Sequence, residues 1–433
     1  MQNPGNQLVL LVLLMCQFWT YAKPTSQPPA VALKVELRKV NGSYQLFRDG
    51  KPYYIKGAGG SHYLDRLAAY GGNSIRTWST QNAQALLDEA HKYGLTVTMG
   101  LNVARERHGF DYNNAEAVAK QLQTLRQEVQ KYKDHPALLM WGIGNELNLN
   151  YTNPKVWDAV NDIARMIHEV DPNHLATTML AGINPKEVDY IKAKCPDLDL
   201  LSINTYGGLP QLPKRVRDLG WEGAYMVTEW GPTGHWEGPQ TAWKASIEET
   251  SSAKAAVYKS RYEASMGHDT ERCLGSYVFL WGQKQERTPT WYGIFTEAGE
   301  ESEVVDVMQY LWTGKWPANR APHIESLLLD GKNALANITL QPGTTYTAQA
   351  TVTDPDNDKL TYRWELLPES TDLKEGGDRE NRPETVQGLL SKANGGQITL
   401  KTPDREGAYR LFVYVTDGNN NVATANTPFY VKK

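Results

Sequence analysis

The sequence predicts an α/β fold: a (β/α)8 barrel followed by an all-β sandwich of immunoglobulin-like type. Two observations predict it. Strand-like apolar runs alternate regularly with amphipathic helical segments as far as residue 316, and beyond that point only short strand-like runs occur. A chain of 433 residues is long enough for two or three domains. We therefore assign residues 31–316 to the barrel and residues 319–433 to the sandwich.

The barrel prediction depends on eight apolar runs. They cover residues 53–59, 73–78, 96–103, 138–146, 175–180, 198–206, 224–231 and 275–281. Helical periodicity between them is clearest over residues 82–93, which end at Gly94, and over residues 153–170. An open doubly wound sheet is the alternative, but Gly57-Ala58-Gly59-Gly60 lacks the spacing of a phosphate-binding loop. The barrel is therefore preferred, with a hairpin over residues 33–49 before it.

The C-terminal segment shows short alternating runs separated by Gly, Asn, Asp and Pro, and no convincing helix. This pattern is typical of a sandwich of the immunoglobulin type, here without cysteine. We expect a spacer or packing module rather than a second active site. The acidic stretch Asp354–Asp358 is a candidate calcium site, but a turn rich in Asx residues explains it more simply.

Composition excludes some partners. The formal net charge is −4, which gives no electrostatic reason to expect nucleic acid or an anionic membrane surface. The chain has 13 Trp and 23 Tyr against 7 Phe. Trp and Tyr combine a flat apolar face with a polar edge, which suits the C–H faces and hydroxyl rims of sugar rings. The aromatic content therefore favours a carbohydrate ligand.

The N-terminus predicts export. Residues 8–15 are apolar and lead to Thr20-Tyr21-Ala22, so we assign residues 1–22 to a signal peptide. Cys16 offers an alternative, because a bacterial lipoprotein would carry an outer-membrane lipid anchor there. The protein is thus expected to be secreted, periplasmic or a cell-surface lipoprotein. Cys195 and Cys273 are expected to be buried thiols in preference to a disulfide, and no cysteine motif indicates zinc.

Two glutamates have the positions expected of catalytic residues. Glu146 ends the fourth run in Gly144-Asn145-Glu146, and Glu229 ends the seventh run in Thr228-Glu229-Trp230. In barrels, catalytic residues lie at the carboxyl ends of strands, and strands four and seven face each other across the mouth. Retaining glycosidases need two carboxyl groups about 5 Å apart. One such Glu alone would more commonly form a salt bridge, but the pair favours this chemistry.

The pair resembles glycoside hydrolase clan A, the retaining (β/α)8 enzymes, in which Asn-Glu ends strand four and Glu ends strand seven. The resemblance covers residues 50–315 and implies that Glu146 is the acid/base and Glu229 the nucleophile. It also implies four supporting roles. These are Arg76 beside the nucleophile, Asn145 on the sugar 2-hydroxyl, Tyr206 as a hydrogen-bond donor to the nucleophile, and Trp281 as the aromatic floor under the sugar.

Further aromatic residues and histidines are expected at the same mouth. Trp78 and Trp230 adjoin the mechanistic residues and are the best candidates for sugar binding. Trp141 lies within a strand, and alternation directs it towards the helices. Weaker candidates are His62, His108, His235, Trp236 and Trp291, for which solvated loop positions or packing are the ordinary alternatives.

One barrel with one C-terminal sandwich, and 83 residues between the two glutamates, is most similar to glycoside hydrolase family 158. That resemblance implies an endo-acting enzyme that cleaves laminarin-like β-1,3-glucan with retention and needs no metal or organic cofactor. The protein is separately expected to be a monomer. Another clan A activity on mixed-linkage glucan or mannan, including transglycosylation, stays open. A non-catalytic glycan-binding protein is disfavoured, because Glu146, Glu229, Arg76 and Tyr206 are all present.

Overall fold

The computed structural model describes residue 1 and residues 32–433. The predicted signal peptide and Cys16 fall on residues outside this described part. The described chain begins with an antiparallel sheet of β1 (Val35–Val40), β2 (Ser43–Arg48) and β3 (Lys51–Tyr53). Asn41 and Gly42 connect β1 to β2 with φ of 50° and 89°, the left-handed conformation that a two-residue hairpin turn requires. The predicted hairpin is confirmed.

The eight predicted runs form a closed barrel of parallel strands in sequential order. The strands are β4 (Ile55–Gly59), β5 (Ser74–Arg76), β6 (Thr96–Leu101), β7 (Leu138–Asn145), β8 (Leu175–Ala181), β9 (Leu200–Asn204), β10 (Tyr225–Trp230) and β11 (Cys273–Val278). Six of these strands are buried at every residue, which explains why their sequences are almost continuously apolar. The barrel prediction is confirmed.

The helices lie around the barrel and after its strands. They are α1 (Leu64–Ala69), α2 (Ala83–Lys92), α3 (Ala115–Tyr132), α4 (Lys155–Val170), α5 (Pro185–Lys194), α6 (Leu212–Asp218), α7 (Ser251–Ala264) and α8 (Glu303–Thr313). Side chains of Asn114, Asn184 and Thr250 accept hydrogen bonds from the first turns of α3, α5 and α7, and so cap them. None of the helices in the described residues is both long and apolar enough to cross a membrane.

The barrel core confirms two further predictions. Trp141 is fully buried in the cluster between barrel and helices, and its Nε1 donates to Oδ2 of Asp171 at 2.8 Å. That bond satisfies the one polar group of the indole. Cys195 and Cys273 are both buried and free. Burial also raises the pKa of each thiol to about 12, so neither is a reactive thiolate.

The C-terminal segment is a sandwich of two sheets. Its strands are β13 (His323–Leu329), β14 (Thr339–Leu340), β15 (Thr345–Thr353), β16 (Thr361–Pro368), β17 (Gln397–Lys401), β18 (Gly407–Thr416) and β19 (Asn421–Val431). A short strand from the barrel part of the chain, β12 (Glu301–Ser302), also pairs with β19. One sheet has the order β12-β19-β18-β16 with β14 on β19, and the other is β13-β15-β17. The sequence does not predict β13 or β14, since β13 (HIESLLL) lacks regular alternation of polar and apolar residues and β14 has only two residues.

A buried polar cluster joins the sandwich to the barrel. Glu248, in the segment between β10 and α7, accepts hydrogen bonds from Lys254 on α7 and from Asn426 on β19, at 2.5 Å and 2.6 Å. Arg410 on β18 donates to the main-chain oxygen of Ser246 at 2.7 Å. Buried charges of this kind are stable only when paired, so these contacts hold the two units in one relative position.

Candidate active site

A cavity of about 1390 Å³ lies at the carboxyl ends of the barrel strands. Glu229, within the end of β10, and Glu146, directly after β7, both line it. These two strands are the seventh and fourth of the barrel. The two glutamates therefore meet one shared space from opposite sides of the mouth.

Three donors orient the Glu229 carboxylate. Arg76 Nη1 and Trp78 Nε1 donate to its Oε1 at 2.7 Å and 2.8 Å, and the Tyr206 hydroxyl donates to its Oε2 at 3.3 Å. Glu229 is 6% exposed. A buried anion that is held by a cation and two neutral donors has a fixed direction of attack, as a nucleophile requires.

Arg76 acts through other residues rather than on a ligand. Its side chain is fully buried, and it is not among the residues that line the cavity. Besides Glu229, the guanidinium donates to the main-chain oxygen of Thr228 at 2.8 Å and to Oδ1 of Asn145 at 2.5 Å. Arg76 therefore lies beside Glu229, where the sequence resemblance places it, and it positions that carboxylate without contacting the cavity as a substrate-binding residue would.

A short hydrogen-bond chain connects the two carboxylates. Asn204 Nδ2 donates to Asn145 Oδ1 at 3.1 Å and to Glu146 Oε1 at 3.0 Å, while Asn145 Oδ1 also accepts from Arg76. Asn204 was missed by sequence reasoning, although it ends β9 two residues before Tyr206. Its position at a strand end was the available signal. Asn145 lines the cavity, where its amide suits a sugar hydroxyl.

The environment of Glu146 favours its neutral form. Burial and the negative charge of Glu229 raise the pKa of Glu146 to about 7, against opposing effects of Asn204, Arg76 and Arg105. Glu146 also has φ of 54°, a left-handed conformation that is uncommon for non-glycine residues and is often found at functional sites. A carboxyl that keeps its proton near neutral pH, beside an oriented carboxylate, is the arrangement that a general acid and a nucleophile in one site require.

The raised pKa gives a prediction for the pH profile. Because only protonated Glu146 can donate to a leaving group, kcat/KM should fall tenfold per pH unit above an apparent pKa of about 7. The measurement is kcat/KM across pH 5–9 on a substrate that needs acid assistance. In Glu146→Gln, residual hydrolysis of an activated aryl glycoside should lose this alkaline decline. If the alkaline fall in kcat/KM persisted unchanged in Glu146→Gln, a group other than Glu146 would be responsible for it.

The other predicted ligand-binding residues divide into two groups. Tyr206 and Trp78 line the cavity, and Trp236 lines it with 58% of its surface exposed. The predictions that Trp281 and Trp230 bind sugar are wrong, because both side chains are buried and neither lines the cavity. His62 does not line the cavity either, and its contact with a sugar stays a prediction. His62 is exposed elsewhere on the rim, beside Gly282.

The two tryptophans were misplaced for identifiable reasons. Trp230 is the residue after Glu229 on β10, so alternation turns it outward, where it packs against Tyr258 and Tyr262 of α7. Trp281 was read as the end of the last strand, but β11 ends at Val278. Trp281 is 1% exposed and its Nε1 donates to the main-chain oxygen of Tyr63. Phe279, directly after β11, lines the cavity in its place.

The other two histidines predicted at the mouth, His235 and His108, have protein partners, and His235 also lines the cavity. His235 lies between the Tyr292 hydroxyl, 2.9 Å from Nδ1, and Arg287, 3.0 Å from Nε2. Burial and the positive charge of Arg287 lower the pKa of His235 to about 4, so its ring is neutral. His108 contacts Asp378 at 3.1 Å. Trp291 is buried and donates to the main-chain oxygen of Thr233.

The acidic turn of the sandwich lies away from this cavity. Asp354 Oδ1 accepts from the amides of Asp356 and Asp358, both at 2.9 Å, as expected of an Asx-rich turn. Carboxylate oxygens of Asp354, Asp358 and Asp417 also lie within 4.8 Å of one another. Oxygen donors at this spacing suit calcium. Calcium binding at Asp354–Asp358 stays a prediction.

An eight-stranded parallel barrel whose fourth and seventh strands bring two carboxylates to one cavity is a barrel of glycoside hydrolase type. In agreement, residues 63–214 match the family model described as Glycosyl hydrolases family 2, TIM barrel domain. This range includes Glu146, Arg76 and Tyr206 and ends before Glu229.

Solved structures show the same fold. Bacteroides uniformis β-glucuronidase matches with a TM-score of 0.52 at 14% identity, over 92% of this chain and 48% of that one. A Bifidobacterium dentium β-glucuronidase complexed with coumarin-3-O-glucuronide matches with a TM-score of 0.50 at 17% identity, over 65% and 49%. An Eisenbergiella tayi family 2 β-galacturonidase bound to galacturonate gives 0.50 at 16%, over 65% and 54%. This chain thus spans about half the length of these proteins. The matches give no support to family 158.

Proposed function

We propose that this chain is a retaining β-glycoside hydrolase with Glu229 as nucleophile and Glu146 as acid/base. One observation carries the proposal: a Glu with a raised pKa and a Glu oriented by Arg76, Trp78 and Tyr206 line the same cavity. Two carboxyl groups in unlike environments are the machinery of double displacement.

The proposed reaction has two steps. Glu229 attacks the anomeric carbon, the glycosidic C–O bond breaks, and Glu146 transfers its proton to the departing oxygen. This leaves a glycosyl ester on Glu229. Glu146, now ionised, removes a proton from water, which attacks the same carbon and releases Glu229. Asn145 is placed to bind a sugar hydroxyl, and Arg76 keeps Glu229 aligned in both steps.

The finer proposal is a neutral β-glucan substrate, β-1,3-linked and cleaved internally. The cavity exceeds the roughly 300–1,000 Å³ of typical small-ligand sites, so it has room for several sugar rings. Its lining carries five cationic and eight carboxylate side chains, which gives no electrostatic preference for acidic sugars. The linkage itself rests on the sequence resemblance to family 158. The exposed aromatic face of Trp236 suits the apolar faces of glucose.

A substrate panel tests this proposal. Laminarin, mixed-linkage barley glucan and mannan would be incubated with the wild-type protein, beside an aryl β-glucoside and an aryl β-glucuronide. We expect laminarin to give a ladder of oligosaccharides early in the reaction. If the protein cleaved only the aryl β-glucuronide, its substrate would be an acidic sugar, as the names of the matched structures indicate for those proteins, and not a neutral glucan. Products longer than the starting oligosaccharide would indicate transglycosylation. A chain inactive on all glycosides would overturn the proposal and favour a glycan-binding role.

Export is proposed from the sequence alone, since residues 2–31 lie outside the described part. The intact mass of protein recovered from a bacterial host separates the alternatives. Cleavage after Ala22 supports secretion, whereas a mass that begins at Cys16 with added acyl groups supports the lipid anchor.

A further inference from the structure

Residues 369–380 of the sandwich, the segment that follows β16, cross the barrel mouth and are called the strap here. We propose that the strap forms the leaving-group side of the cavity and sets the preference for substrate length. This inference rests on the proposed function. Most of the strap lines the same cavity as Glu146 and Glu229, including Ser370, Leu373, Glu375 and Asp378. The sandwich is therefore more than the spacer that the sequence suggested.

Charged contacts fasten the strap to three barrel loops. Asp378 accepts two hydrogen bonds from Arg107, at 2.8 Å and 3.1 Å, in the loop after β6. Glu375 accepts one at 3.1 Å from Asn150, in the loop after β7. Lys284, after β11, donates to the main-chain oxygen of Gly377 at 3.1 Å. A bidentate Arg–carboxylate pair fixes direction as well as distance, so Asp378 is the main anchor.

The base of the strap is fixed by a buried carboxylate. Glu380 accepts from the amide of Lys374 at 3.0 Å and from the amide of Arg287 at 2.6 Å, and its side chain is fully buried. Gly376 has φ of 59°, and a Cβ there would lie 2.8 Å from Leu149 and 2.9 Å from Arg107. The positive φ favours glycine here, and any side chain would also require the ends of Leu149 and Arg107 to shift, so the strap packs closely against the barrel at this point.

The strap crosses from the loop after β11 to the loops after β6 and β7, and the contacts of Glu375 and Asp378 bring its tip to the acid side of the cavity. The acid must face the departing oxygen, and Leu149 and Asn150, which contact the strap, come just after Glu146. Arg105, which donates to the main-chain oxygen of Asn145 at 3.0 Å, has Nη1 3.9 Å from Asp378. By contrast, the donors that hold Glu229 make no hydrogen bond to the strap within the described residues.

The strap also supplies an apolar surface. Leu373 is 51% exposed and Trp236 58% exposed, and both line the cavity. Exposed apolar side chains inside a concave polar site are suited to the C–H faces of sugar rings. We expect them to contact sugar units on the leaving-group side.

The test compares substrates that differ only in the leaving group. For Asp378→Ala and Leu373→Ala, kcat/KM is measured on an activated aryl glycoside and on oligosaccharides of two to six units. We expect the ratio of oligosaccharide to aryl kcat/KM to fall about tenfold, the effect of losing one contact to a charged or stacking group. The product distribution should shift with it. Asp189→Ala, at an exposed position of α5 outside the cavity, is the matched control.

The possible results separate two failures. If kcat/KM fell equally on oligosaccharides and on the aryl glycoside, or changed on neither, the strap would have no role in substrate length. Hydrolysis by the wild-type protein would still support the proposed function. An inactive wild type would overturn both. Thermal unfolding of each variant should stay close to that of the control, because Asp378 and Leu373 are both partly exposed.

Discussion

Glu229→Ala is expected to lose turnover on every glycoside by a factor on the order of 10⁴ or more, because no other group can form the covalent intermediate. The variant should unfold at a lower temperature, because the buried Arg76 loses its carboxylate partner. The fold should persist, since Arg76 keeps its hydrogen bonds to Thr228 and Asn145 and water can occupy the vacated space. The measurement is kcat on the best substrate of the panel, with thermal unfolding to check folding.

Azide makes this result specific to the nucleophile. A small anion that occupies the vacated space should restore part of the activity on an activated aryl β-glycoside and yield the α-glycosyl azide. Glu222→Ala, at an exposed position before β10, should keep full activity and give no azide product. Normal polysaccharide hydrolysis by Glu229→Ala would remove Glu229 from the mechanism.

Glu146→Ala is expected to divide substrates by leaving group. Proton donation contributes roughly 10²–10⁴-fold when the leaving group is a sugar hydroxyl and little when it is an acidic phenol. Polysaccharide cleavage should therefore fall by about that factor, while formation of the glycosyl–enzyme from a dinitrophenyl glycoside stays fast. Pre-steady-state release of the phenol measures this directly.

A burst of phenol followed by slow turnover is the expected pattern for Glu146→Ala, because water then lacks its base in the second step. Azide should speed that second step and give the β-glycosyl azide, the opposite anomer to that from Glu229→Ala. An equal loss on all leaving groups would contradict an acid/base role for Glu146.

Much of the barrel was predictable from sequence because its signals are local. Buried parallel strands such as β7 are almost continuously apolar, and β7 is followed by α4, a helix with one apolar face. Glu146 and Glu229 are recognisable because a charged residue at the end of such a run has few structural reasons to be there. Once the barrel is assigned, the positions of Glu146 and Glu229 at the ends of the fourth and seventh strands are enough to predict that they lie at the same mouth.

Other features depend on contacts that the sequence does not encode locally. Trp281 was misplaced because the chain leaves β11 three residues earlier than its apolar character suggests. The strap was not predicted at all, since Asp378 and Arg107 are 271 residues apart and neither lies in a regular pattern. Asn204 appeared ordinary until its bonds to both Asn145 and Glu146 were seen. Tertiary contacts of this kind decide the shape of the site.

The most direct test of the two-carboxylate mechanism is the anomeric configuration of the first product. Proton NMR would follow hydrolysis of the best β-glycoside by wild-type protein, on a time scale faster than mutarotation. Double displacement through Glu229 predicts that the β anomer appears first and the α anomer grows in later. Initial appearance of the α anomer would mean direct attack by water, and would contradict a glycosyl ester on Glu229.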